Sequence, residues 1–257
     1  MLTVKRTALM LSLAMLGLAL MAGAVQAATA ASRGQAAVAA AAKGNKYLFI
    51  FFWKDDTQQS RTMRGVFQTA MAKMSDKADS IEIQTNDPAE GKLVAHYGVD
   101  RAPLPFALAI APNGAITKGC PTRFDEKQLR DGLVSPGTAE CMKALQDRKL
   151  VLLCVEPASA KAKQVSLQKG VQDFTADEQY VKNSKAVTLN AGDPAEASFL
   201  KDLCVDAKTN VPVTVLLAPP GSVVGTFAGE VTKEQLVAKV KESQSGCCGP
   251  GCKCHQH

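Results

Sequence analysis

Residues 105–116 read PFALAIAPNGAI: a proline, an apolar strand pattern and an Asn-Gly turn. Asn-Gly between two apolar runs is a strong signal for a β-hairpin. A similar stretch, PVTVLLAPPGSV, returns at 212–223, with Pro212 in the place of Pro105. The sequence therefore predicts two hairpins, each entered through a proline, at equivalent places in a repeated unit.

Three further matches connect the two halves of the chain. IEIQTNDPAE at 81–90 resembles VTLNAGDPAE at 187–196. YLFIFFW at 47–53 resembles LVLLCVE at 150–156, and KQL after the first hairpin resembles EQL after the second. Four matches in one order at nearly one offset indicate two copies of one domain, with the junction near 143–149.

Each copy alternates strand and helix patterns in the order β-α-β-α-β-β-α. Continuous apolar runs predict buried strands, and apolar residues at helical spacing predict the helices between them. In the first copy these elements are 47–53, 56–75, 80–85, 87–97, 106–111, 115–119 and 125–134. In the second copy they are 150–156, 159–182, 185–190, 194–204, 213–218, 222–227 and 232–242. The order predicts an α/β fold.

The composition narrows the function classes. The chain has 257 residues, of which 46% are hydrophobic and 21% charged, so it can form packed cores in one or two domains. Aromatic residues are 5% with one tryptophan, and the net charge is +6. A nucleic-acid partner is therefore not expected, because stacking surfaces and a strong basic patch are both missing.

The N-terminus has the pattern of a secretory signal. Lys5 and Arg6 precede an apolar run over 8–25, and Val25-Gln26-Ala27 offers small residues before a cleavage point. Residues 1–27 are predicted to be a signal peptide, with an uncleaved membrane anchor as the alternative. The protein is expected to be exported to a periplasmic or extracellular compartment, with no integral membrane segment after cleavage. Residues 28–45 form an Ala-rich lead-in, either loose or a short helix.

The element order, with a proline entering the third strand, resembles the thioredoxin fold. Phe52-Trp53 ends the first strand as Phe-Trp often does in thioredoxins, and Pro105, rather than Pro103, resembles the cis-proline of that family. The resemblance implies two tandem thioredoxin-like domains over 46–142 and 149–242, each a sheet with helices on both faces. It also implies a groove, walled by the proline, that binds extended peptide.

The redox motif of that family is missing. Where thioredoxins carry Cys-x-x-Cys, the first copy has Thr57-Gln58-Gln59-Ser60, and the second copy has no such motif in residues 155–160. Cys154 lies inside an apolar strand, where packing is expected. A hydroxyl cannot form a disulfide, so thioredoxin-type exchange is excluded at both sites. His96 is predicted to be remote from Thr57, which favours a non-enzymatic role and makes Thr57 a helix cap.

The C-terminal residues 243–257 are predicted to be a flexible tail because Gly and Pro break any helix. The tail concentrates thiols and imidazoles, which are ligands for thiophilic metals such as Zn or Cu. The candidate ligands are Cys247, Cys248, Cys252, Cys254, His255 and His257. Disulfides within or between chains, and an exposed redox pair, are the alternatives.

Four cysteines lie within the domains. Cys120 and Cys141 could pair in the first domain, although sequence alone does not determine connectivity. Cys204 is matched with Tyr97 of the first copy, which predicts apolar packing.

The leading prediction is an exported scaffold that binds a protein or peptide partner. The groove candidates are Trp53, Thr57, Ser60, Pro103, Pro105 and, in the second copy, Pro212. Metal handling through the tail and thiol oxidoreduction through the tail cysteines are the alternative functions.

Overall fold

A computed structural model describes residues 31–159 and 167–244. The first repeat comprises α1 (Arg33–Lys43), β1 (Tyr47–Trp53), α2 (Gln58–Lys73), β2 (Ala78–Gln84), α3 (Gly91–His96), β3 (Phe106–Ile110), β4 (Ile116–Pro121) and α4 (Glu126–Arg130). The second comprises α5 (Pro136–Gln146), β5 (Leu150–Glu156), α6 (Lys169–Ala176), β6 (Ser184–Asn190), α7 (Ala197–Asp202), β7 (Val213–Ala218), β8 (Ser222–Ala228) and α8 (Lys233–Gln244). The predicted β-α-β-α-β-β-α order is confirmed in both repeats. The structure adds a helix ahead of each: α1, one of the two alternatives for residues 28–45, and α5, which the sequence did not predict.

Each repeat contains one four-stranded sheet with the same topology. The strand orders are β2-β1-β3-β4 and β6-β5-β7-β8. The first strand of each repeat pairs in parallel with the second and antiparallel with the third. Parallel pairing needs a crossover, which α2 and α6 provide, whereas the last two strands are joined by the predicted hairpin.

The central strand of the first sheet is buried on both faces because it carries apolar residues at every position. Phe49 and Phe51 pack toward α2 and α4, while Ile50 and Phe52 pack toward α1 and α3. The second sheet has the same two clusters, one on each face. The predicted three-layer α/β architecture is therefore confirmed for both domains.

The Ala-rich stretch ahead of β1 contains α1, which packs on β1 and β2. Ser32 caps this helix in a capping box with Gln35. The backbone N–H of Gly34 donates to both carboxylate oxygens of Glu90, at 3.1 and 3.2 Å, and Glu90 is only 1% exposed. A β-carbon at Gly34 would collide with Leu93 and Glu90, so this close approach needs glycine.

The second repeat begins with a similar arrangement, although a side-chain hydroxyl replaces the backbone N–H as the donor to the buried glutamate. Ser135 caps α5, and the Thr138 hydroxyl donates to the buried Glu196 carboxylate at 2.8 Å. A β-carbon at Gly137 would meet Leu189 and Glu196. Ser-x-Gly before a helix and the glutamate of Asp-Pro-Ala-Glu thus act together in each repeat.

By its packing, α5 is the first helix of the second repeat. Cys141, Ala144 and Leu145 belong to the hydrophobic cluster of the second sheet. The helix begins at Pro136, ahead of the junction that the sequence suggested at 143–149. The last helix of the first repeat is therefore α4, which ends at Arg130.

The disulfide that the sequence left open between Cys120 and Cys141 is not formed. Both are buried free thiols, and they lie in the hydrophobic clusters of different sheets. Burial, with Glu196 and Glu140 nearby, raises the pKa of the Cys141 thiol to about 12. The packing role predicted for Cys154 is confirmed, since this residue is 3% exposed within β5 and burial raises the pKa of its thiol to about 11.

The match between Cys204 and Tyr97 is also wrong. Tyr97 and Leu203 are the residues that follow α3 and α7 with nearly equal backbone angles. Cys204 corresponds instead to Gly98, and the two have φ of 56° and 64°. Cys204 is accordingly exposed rather than packed, because it lies past the helix end where the chain turns away.

Several predictions fall on residues outside the described ranges. These are the signal peptide over 1–27, the start of the helix predicted at 159–182, and the tail from residue 245 onward. Ser243 and Gln244, which the sequence placed in that tail, belong instead to the last turn of α8. Among the helices in the described ranges, none is both long and apolar enough to cross a membrane.

Candidate functional site

Thr57 and Ser60, at the positions of the missing cysteines, are hydrogen-bonded to each other at the start of α2. The Thr57 hydroxyl accepts from the backbone N–H of Ser60 and donates to the Ser60 hydroxyl, both at 3.1 Å. Thr57 is the N-cap residue, as predicted, and Ser60 is 5% exposed. The Thr57 hydroxyl thus satisfies the Ser60 backbone N–H, which has no partner inside the helix. Each of the two hydroxyls has the other as its hydrogen-bond partner.

In the described part of the chain, no histidine is hydrogen-bonded to either hydroxyl as a catalytic base would be. His96 lies at the end of α3, where its ring contacts Tyr97 with centroids 4.7 Å apart. No hydrogen bond joins this imidazole to Thr57 or Ser60 within residues 31–159 and 167–244. A serine or threonine nucleophile needs such a base.

The peptide bond between Leu104 and Pro105 is cis, as the resemblance predicts. The Pro105 carbonyl accepts from the backbone N–H of Thr122 at 2.7 Å. The Thr122 carbonyl in turn accepts from the side-chain amide of Gln59 at 3.0 Å. This chain of contacts brings the first turn of α2 next to the cis-proline.

Leu104 precedes the cis-proline on the wall of the predicted groove, and it was not among the groove residues predicted from the sequence. Its side chain is half-buried, and Pro103 before it is exposed. In residues 31–159 and 167–244, neither the N–H nor the carbonyl of Leu104 has a hydrogen bond. Leu104 could have been predicted as a groove residue from its position directly before Pro105. Gln59 could have been predicted from its place within Thr57-Gln58-Gln59-Ser60.

The second repeat keeps the backbone contact but changes the proline isomer. The Pro212 carbonyl accepts from the N–H of Gly229 at 2.8 Å, as Pro105 does from Thr122. Among the described residues, the cis bonds precede Pro105 and Pro220, so the bond before Pro212 is trans. The backbone before Pro212 therefore differs from the backbone before Pro105.

Trp53, at the end of β1, is half-buried and held by charged neighbours. The Arg64 guanidinium lies 4.7 Å from the Trp53 ring centroid, a cation–π contact. Arg64 also pairs with Asp56 at 3.1 Å and with Glu82 at 2.9 Å, while Arg61 pairs with Asp56 at 3.2 Å. Hydrogen bonds from Arg64 and Arg61 hold the pKa of the Asp56 carboxyl below its usual value.

The candidate metal ligands from Cys247 to His257 lie outside the described residues. Within the described ranges, no group of three or more His, Cys, Asp or Glu side chains is placed to hold a metal ion. Of the predicted groove residues, Thr57 and Ser60 are hydrogen-bonded to each other. Pro105 is linked to the same helix start through Thr122 and Gln59.

Solved structures similar to this chain have thioredoxin folds. Thioredoxin O2 from Arabidopsis thaliana matches 37% of this chain and 78% of its own, with 14% identity and a TM-score of 0.31. The first two thioredoxin domains of Eps1p from Saccharomyces cerevisiae match 78% of this chain and 94% of their own, with 11% identity and a TM-score of 0.29. The N-terminal domain of the alkylhydroperoxide reductase AhpF from Enterococcus faecalis matches 77% of this chain and 93% of its own, with 14% identity and a TM-score of 0.29.

No model of a known protein family and no curated protein sequence matches the chain. The strand order shared by the two sheets, with helices on both faces of each, defines the class: a protein of two tandem thioredoxin-like domains. In its first domain, a Thr-x-x-Ser hydroxyl pair stands where that fold carries its redox cysteines.

Proposed function

We propose that the first domain binds an extended segment of polypeptide without covalent chemistry. The observation that carries this proposal is the unpaired backbone of Leu104, next to cis-Pro105 and tied through Thr122 to the start of α2. An extended peptide can add to such a backbone edge through its own N–H and carbonyl groups.

The hydroxyl pair suits reversible binding. A thiol at this place could attack a disulfide of the bound chain and form a mixed disulfide. Thr57 and Ser60 cannot do so, and their mutual hydrogen bond holds them in the first turn of α2. Release is then governed by the hydrogen bonds and apolar contacts of the groove alone.

We place the binding in the first domain, because the hydroxyl pair and the contacts from Gln59 through Thr122 to Pro105 belong to it. The second domain then acts as a scaffold.

A fluorescence titration tests this function, since Trp53 is the only tryptophan of the chain. The probe is the S-carboxymethylated insulin B chain, an unfolded polypeptide that contains no tryptophan. The probe is expected to change Trp53 emission in a saturable way. Leu104→Glu should raise the dissociation constant by about tenfold, because a charge would be desolvated against the groove.

The matched control is Val211→Glu, which changes the residue before Pro212 and should leave binding unchanged. Val211 is 41% exposed, so the charge remains in water there. Far-UV circular dichroism checks that both variants are folded. Equal affinity for the parent and Leu104→Glu, or no saturable change with the parent, would refute the proposal.

The second candidate function is metal capture by the tail. The observation that favours it is the concentration of four cysteines and two histidines in residues 247–257. Export belongs to both candidates and is supported by the signal pattern of residues 1–27. N-terminal sequencing of the protein from its native cells is expected to begin at Ala28, and an intact Met1 would count against cleavage.

A further inference from the structure

The first helix of the second domain, α5, also covers an edge of the first domain. The side-chain amide of Gln146 donates to the Ile116 carbonyl at 2.7 Å and accepts from the Ile116 N–H at 2.9 Å. Ala139 of α5 is buried together with Ala111 and Ala115 of the hairpin. The open side of β4 is thereby closed where the strand begins.

The same edge of the second domain is uncovered within the described residues. Val223 in β8 holds the place of Ile116, because Leu217 pairs with Val223 as Ile110 pairs with Ile116. Val223 is 45% exposed, and Ser222 is exposed where Ala115 is fully buried. An edge strand with an exposed apolar side chain can serve as a template on which another chain packs.

The outer face of α1 matches the covering face of α5. Counting from the capping serines Ser32 and Ser135, Ala36 corresponds to the buried Ala139. Ala39 then corresponds to Met142, and Lys43 corresponds to Gln146. In the first domain all three of these positions are exposed, although α1 packs on its own sheet as α5 does. Ala36 and Ala39 give this face small, uncharged side chains. Lys43 follows at its C-terminal end, where its ammonium group can donate to a strand carbonyl as the Gln146 amide does.

We propose that α1 of one molecule covers the β8 edge of a second copy of this chain. The argument for this occupant is continuity, because the interface between α5 and β4 already joins one repeat to the next. Among the residues that the structure describes, the counterparts of both its halves, the outer face of α1 and the edge of β8, are uncovered. The contact is heterologous, since the two molecules contribute different surfaces. Self-association therefore proceeds head to tail.

Sedimentation velocity of the purified chain over a range of concentrations tests this inference. The parent is expected to show concentration-dependent association. Val223→Glu and Ala39→Glu should each raise the dissociation constant at least about tenfold, because each places a charge in the contact. Val181→Glu is the matched control, because Val181 is another exposed apolar residue, at 50%, and should leave association unchanged.

Mixing the two interface variants distinguishes this arrangement from a symmetric one. Val223→Glu retains an intact α1 face and Ala39→Glu retains an intact β8 edge, so an equimolar mixture should form dimers and nothing larger. If Ala39→Glu alone associates like the parent, β8 pairs with β8 and the proposal is wrong. A parent that is monomeric at every concentration also overturns it. Circular dichroism establishes that the variants are folded.

Discussion

Replacing Glu90 with glutamine is expected to destabilise the first domain by about 2 kcal/mol. The Glu90 carboxylate is 1% exposed and receives the Gly34 N–H at the start of α1. Glutamine keeps the shape and one acceptor oxygen, so the change removes the charge without leaving a cavity.

Two effects add up to this magnitude, and a third opposes them. A charge at a helix N-terminus contributes about 0.3–1 kcal/mol, and this contribution is lost. The side-chain NH2 of the glutamine replaces an acceptor oxygen, and a buried N–H of that group without an acceptor costs about 1–3 kcal/mol. Removing a buried charge also relieves part of its desolvation penalty. A net loss of about 2 kcal/mol follows from these terms.

Urea unfolding followed by Trp53 emission measures this loss, because Trp53 lies in β1 of the same domain. The control is Glu178→Gln, at an exposed glutamate, where a change within about 0.5 kcal/mol is expected. If Glu90→Gln changes the free energy of unfolding no more than this control, the buried carboxylate does not stabilise α1 and the reasoning fails.

The remaining predictions concern thiols, pH and the tail. Cys141 and Cys154, with thiol pKa values raised to about 12 and about 11, should resist alkylation at pH 8 in the folded chain and react after denaturation, as read by peptide mass spectrometry; labelling of the folded chain at either would contradict the burial. The pKa of Asp56 lies below its reference of 3.8, so its ion pairs are complete above that pH and are lost as the pH falls through the lower, folded value. Trp53 emission should show this step, and Asp56→Asn should abolish it; an unchanged step would assign it to another group. Metal analysis of the full chain and of a chain ending at Ser245 should show a stoichiometric ion lost on truncation, and the absence of an ion from both would remove the metal function.

The strands were predictable because each depends on a local pattern. The run Tyr47–Trp53 is apolar at every position, and Pro112-Asn113-Gly114 can only turn the chain between two strands. Because the matched stretches recur in the same order, each half of the chain supported the order of elements predicted for the other. The motif Thr57-Gln58-Gln59-Ser60 could also be read directly from the sequence, as could the lack of a Cys-x-x-Cys motif in residues 155–160.

The contacts between distant segments needed the tertiary structure. Gly34 and Glu90 are 56 residues apart, and only the folded chain shows that the glutamate of Asp-Pro-Ala-Glu reaches the first helix of its repeat. The isomer of Pro212 and the left-handed backbone of Cys204 likewise depend on how neighbouring strands and helix ends pack.

The sequence by itself determined two α/β repeats, a proline-entered hairpin in each and a hydroxyl pair in place of the redox cysteines. The tertiary structure decided that α5 belongs to the second domain while closing the first, and that Leu104 has an open backbone beside cis-Pro105. The physical reason is that apolar periodicity records which face of an element is buried, whereas the partner of that face is set by packing between segments far apart in the chain.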